Sequence, residues 1–69
     1  MTGAELKAIR EAFGLSASTM GRALGYSGPK ANIAVHIRRL ERGDRPIPTP
    51  IGRLALMFSR EGIPREWSA

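Results

Sequence analysis

The chain has 69 residues and a mass of 7.5 kDa, room for a single domain over residues 1–69. A chain this short buries roughly 60% of the surface that its unfolded form exposes, so it depends on well-packed helices, a partner subunit, or both. It has no cysteine and one histidine, His36, which excludes a disulfide framework, Cys-ligated metal and a His-rich metal site. Eleven Lys and Arg against six Asp and Glu leave a net charge of +5, and nine of those cations are Arg.

The surplus is uneven: +1 over Met1–Tyr26, +3 over Ser27–Pro46 and +1 over Ile47–Ala69. A basic segment of this kind attracts polyanions, nucleic acid first, although charge alone also fits a solvated surface. A hydrophobic fraction of 42% with 25% charged residues is ordinary globular composition and argues against disorder. The longest apolar run, Leu54–Phe58, is too short for a membrane span, and the N-terminus lacks a signal-peptide pattern.

Thr2-Gly-Ala-Glu5 reads as a capping box, with Met1 and Leu6 at the staple positions. Leu6, Ile9 and Phe13 follow at helical spacing and Gly14 is a left-handed stop, which predicts a first helix over about Gly3–Phe13. Ser16 caps a second helix, about Ala17–Leu24, with Met20, Ala23 and Leu24 as its apolar stripe and Gly25 at its end. The turn between these two helices is very short, so they must cross steeply.

Pro29 suits a first helical position, and nothing breaks a helix from there to Arg42, where Gly43 stops it. Ile33, Ile37 and Leu40 share one face of this third helix. Asn32, Val35, Arg38, Arg39 and Arg42 lie on the other side, with His36 on the flank. Arg45-Pro46-Ile47-Pro48 should run extended. Thr49 reads as a cap and Pro50 as a first-turn residue of a fourth helix, about Pro50–Arg60. Ile51, Leu54, Ala55 and Phe58 point inward on it; Leu56 and Met57 fall outside the stripe. Gly62 ends it, and residues 62–69 form a short tail. The expected fold is all-α, a bundle of four to five short helices.

Two short helices joined by a tight turn, followed by a basic amphipathic helix, describe a helix-turn-helix. A helix fits the major groove, and apolar residues on one face hold it rigid while the other face reads bases. The chain resembles the lambda-repressor-like, or Xre/Cro-type, helix-turn-helix family. The resemblance rests on Leu6-Lys7 and Arg10, Gly14-Leu15-Ser16, Ala23-Leu24-Gly25, Ile37, Leu40-Glu41-Arg42-Gly43 and the proline before the last helix. It covers about Leu6 to Phe58. Ala17 stands where the family often carries a phosphate-touching Gln. The stretch from Gly25 to Ile37 is longer than the usual family spacing, with residues Ser27–Asn32 expected to extend the N-terminal end of helix 3.

The resemblance implies an ion pair between Arg10 and Glu41, and a stand-alone bacterial or phage regulator, cytoplasmic and nucleoid-associated. Asn32, Val35, His36 and Arg39 are the candidates for base edges: Arg suits guanine, Asn suits adenine, and Val35 suits a thymine methyl. Lys30, Arg38, Arg42 and Arg45 are candidates for phosphates, with the Ser16, Ser18 and Thr19 hydroxyls beside them. Leu56, Met57, Ile63 and Trp67 are surplus apolar residues, read as a homodimer interface matching a two-half-site, inverted-repeat operator. Trp67 folding back on helix 4 is the plainer reading of that residue.

His36 has no Ser, Cys or second His at a catalytic spacing, and no phosphate-loop motif is present, so the expectation is no enzyme, cofactor, metal or small-molecule ligand. The expected activity is sequence-specific binding of double-stranded DNA by a transcriptional regulator, most simply a repressor. The alternative is a protein-interaction module, such as an antitoxin or regulatory partner, on a helix-turn-helix scaffold.

Overall fold

In the computed structural model, which describes residues 1–68, the chain forms four α-helices and a terminal 3-10 turn. They are α1 (Gly3–Ala12), α2 (Ala17–Ala23), α3 (Lys30–Arg42), α4 (Thr49–Glu61) and the turn Arg65–Trp67. The protein is all-α, and no strand occurs among the described residues. Its Cα radius of gyration, 10.6 Å, agrees with the ~11 Å expected of a folded domain of this length.

Helix α1 starts where its capping box closes. The Thr2 hydroxyl accepts from the Glu5 amide at 3.1 Å, and the Glu5 carboxylate accepts from the Thr2 amide at 2.8 Å. Ser16 caps α2 by accepting from the Thr19 amide at 3.2 Å. Gly43 closes α3 in the left-handed conformation, φ 80°, and its amide reaches back to the Leu40 carbonyl.

The two proline-led helices start one residue away from where the residue types suggested. Pro29 is the cap of α3 rather than its first helical residue, and its carbonyl accepts from the Asn32 and Ile33 amides. Pro48, not Thr49, caps α4: its carbonyl accepts from Gly52, and Thr49 and Pro50 lie inside the helix. In both cases the proline ring holds φ near −60° while ψ near 138° aims the carbonyl into the first turn, so no side-chain cap is needed. The long approach to α3 divides at this point. Ser27, Gly28 and Pro29 lengthen the loop; Lys30–Asn32 belong to the helix.

Helix α3 is the centre of the molecule, packing most extensively on α2 and next on α1, while α4 leans on α1. Leu6, Met20, Ile37, Leu40 and Phe58 are the largest fully buried side chains, one or two from each helix. Two glycines allow backbones to approach. A Cβ at Gly21 would overlap Cγ2 of Ile33, and one at Gly3 would overlap the Glu41 carbonyl. Phe13 departs from its expected inward place and is 38% exposed. Helix α1 ends at Ala12, Phe13 is its cap, and Gly14 turns the chain, so the ring leaves the stripe.

Candidate functional site

The three apolar residues of α3 behave as their spacing predicts: Ile33, Ile37 and Leu40 are buried against the core. Their burial fixes which side of the helix faces outward. Asn32, Val35 and Arg39 are exposed there, and His36 is half-buried at the edge. These four side chains line one shallow hollow of about 360 Å³. The four residues proposed to read base edges therefore share a single concave surface.

The loop before α3 reaches that surface through one of its members, His36. The Tyr26 ring meets His36 edge-on, with centroids 4.7 Å apart and planes at 60°. Tyr26 is half-buried, and burial pushes its phenol above the ordinary value. The contact restrains the imidazole and leaves the other flank of the helix open.

Arg10 and Glu41 form a two-pronged ion pair between α1 and α3. Arg10 Nε donates to Oε2 at 2.7 Å and a terminal nitrogen donates to Oε1 at 3.1 Å. The second terminal nitrogen donates to the Leu15 carbonyl at 3.0 Å. Glu41 holds the guanidinium more firmly charged, raising its pKa from an already high value. The pair ties the end of α3 to α1 and to the turn leading into α2, which orients the outward face.

The phosphate candidates divide. Lys30, Arg38, Arg42 and Arg45 are exposed, and so is Ser16. Thr19 is half-buried. Ser18 is a correction: it is 4% exposed, with its hydroxyl 3.2 Å from the Ser16 hydroxyl, so it cannot reach a phosphate. It is buried in the first turn of α2, whereas Ser16 caps the helix from an exposed position. Ser16 also donates to the Thr19 hydroxyl at 2.9 Å, which spends its only proton within the chain. Arg42 makes an exposed 3.3 Å contact with Asp44, weak in water.

Residue type alone did not single out Lys7. It shares a second hollow of about 280 Å³ with Arg10, Arg38, Glu41 and Arg42. Its position three residues before Arg10, hence on the same face of α1, was the available signal.

The four surplus apolar residues are split by the fold. Leu56 and Met57 are 41% and 48% exposed on α4. Ile63 packs against the protein's own core, and Trp67 lies edge-on to Phe58 with centroids 5.9 Å apart. Trp67 therefore does fold back on α4, while 43% of it remains exposed. Among the described residues no cluster of three His, Cys, Asp or Glu could hold a metal ion, and no helix is long and apolar enough to cross a membrane. Comparison of the chain with protein-family models, with curated proteins and with solved structures finds no match.

Proposed function

We propose that this protein is a sequence-specific reader of double-stranded DNA, a helix-turn-helix transcriptional regulator of the lambda-repressor-like type that acts as a homodimer. The observation that carries the reading is the outward surface of α3. Asn32, Val35, His36 and Arg39 converge on one hollow while Ile33, Ile37 and Leu40 anchor the opposite face. Helix α3 enters the major groove, whose width of about 12 Å accommodates it, and the four side chains meet base edges. Lys30, Arg42 and Arg45 meet phosphates on either side and set the register. Occupation of an operator excludes the polymerase, which is repression by occlusion.

Selection of random duplexes on the purified protein at near-physiological salt tests this. An enriched inverted repeat with half-sites about one helical turn apart is the expected result. A single enriched half-site removes the dimer and keeps DNA. A folded protein that enriches nothing overturns the reading in favour of a protein partner.

A further inference from the structure

The hollow at the joint of α1 and α3 has a composition that the reading surface does not need. Four of its five lining residues are cations (Lys7, Arg10, Arg38 and Arg42), and its single carboxylate belongs to Glu41. Glu41 is already taken: both of its oxygens accept from Arg10. Lys7, Arg38 and Arg42 therefore gather round a concavity whose only anion is spent on a fourth cation. Two further carboxylates stand outside the hollow: Asp44 meets Arg42 with both side chains more than half exposed, and Glu11, one helical turn after Lys7 on α1, adds its charge near Arg10. Like charges brought together across two helices repel, and an anion seated among them relieves that repulsion.

We propose that this hollow is a phosphate-binding site, built jointly by α1 and α3, whose occupant is a backbone phosphate of duplex DNA. The identity of the occupant rests on the proposed function. Its position supports the assignment. At ~100° per residue, the Arg38–Arg42 stripe lies about a quarter-turn round α3 from the centre of the Asn32–Val35–His36–Arg39 surface. A helix 10–12 Å across fills a groove of about the same width. A stripe a quarter-turn from the base-reading face then points at a groove wall, which is made of phosphates. Lys7 extends that stripe onto α1, beyond the reach of the recognition helix itself. The Arg10–Glu41 pair keeps its two components in register, since it fixes α1 to the same turn of α3 that carries Arg38 and Arg42.

The site is tested with Lys7→Gln and Arg38→Gln, which keep the stems and remove the charge. Arg60→Gln, an exposed cation of α4 outside the hollow, is the control. Duplex affinity is measured against salt for each protein, and amide and side-chain NMR shifts of the wild type are followed with inorganic pyrophosphate. The expected result is a log-salt slope shallower by about 0.9 for each phosphate that the variant no longer neutralises, the same on every sequence, with no change for Arg60→Gln. Pyrophosphate shifts should centre on Lys7, Arg38 and Arg42. Slopes that change no more than the control overturn the site and leave the DNA reading standing. A wild type that binds no duplex, yet shows the pyrophosphate shifts, keeps the anion site and overturns its DNA occupant. Neither duplex binding nor localised shifts overturns both.

Discussion

Under the proposed function, the sharpest demand on a single side chain falls on Arg39. It is exposed, it lines the hollow on the outward face of α3, and its guanidinium fork can bond both acceptors of a guanine. Arg39→Ala should cost about 1–3 kcal/mol at the selected site and relax base preference at one position. Equal loss on scrambled duplexes, measured by fluorescence anisotropy, would make it a phosphate contact. Glu41 answers to stability instead. Its side chain is 5% exposed and holds Arg10 from both oxygens. Glu41→Gln leaves a largely desolvated guanidinium without its counter-charge and should lower unfolding free energy by roughly 3 kcal/mol in urea. The exposed Arg42–Asp44 pair should register at under about 1 kcal/mol in the same assay. Glu5 adds a pH dependence. The Thr2 amide holds its carboxylate below the ordinary value of 4.5, so the contribution is present above that value and lost as pH falls through the lower folded one. A thermal midpoint that falls equally in wild type and Glu5→Gln on acidification would remove this role.

At the scale of the elements, a glycine sets how closely α3 approaches α2. Gly21 lies in mid-helix, where Ala is ordinarily better by about 1 kcal/mol. Here a Cβ would overlap Ile33 and come within 3.0 Å of Ile37, the two residues that seat α3 on α2. Overpacking of that kind costs about 1–3 kcal/mol, so Gly21→Ala should destabilise despite its better propensity. A raised thermal midpoint in that variant would mean that the two helices part without cost. The pairing of α2 with α3 is thus set by the absence of a side chain, and the outward face of α3 inherits its orientation from that contact. The proline-capped starts of α3 and α4 act at the same scale. Each places a rigid, extended residue directly before a helix and so limits the directions from which the chain can enter it.

For the molecule as a whole, the question of economy is what a chain this small does with apolar surface left outside. Part of it is used internally, since Trp67 covers Phe58 and Ile63 packs on the core. Leu56 and Met57 have no such use. A twofold interface over α4 and the tail would cover them, and Trp67→Ala should lower dimer affinity in sedimentation. Because that ring also covers Phe58, Met57→Lys is the cleaner variant: it replaces an exposed side chain and should weaken the dimer without lowering the monomer's stability. Sedimentation profiles identical to wild type for both would dismiss the interface.

The sequence by itself determined most of what is settled within a turn or two of helix; the starts of α3 and α4, each one residue away from expectation, are the exceptions. The Thr2–Glu5 box, the Ser16 cap, the Gly43 stop and the i, i+4, i+7 spacing of Ile33, Ile37 and Leu40 are local, and the helices and the two faces of α3 follow from them. The Arg10–Glu41 pair came from resemblance rather than from spacing, because its partners stand 31 residues apart. What only the tertiary structure decided is which surfaces meet. It buried Ser18, exposed Phe13, set Tyr26 against His36, and brought Lys7 beside Arg38 and Arg42. The Gly14 stop is a local signal for Phe13, and the i, i+3 spacing to Arg10 is one for Lys7. The burial of Ser18 and the Tyr26–His36 contact have none, because they depend on packing between separate elements, whose approach Gly3 and Gly21 set above all.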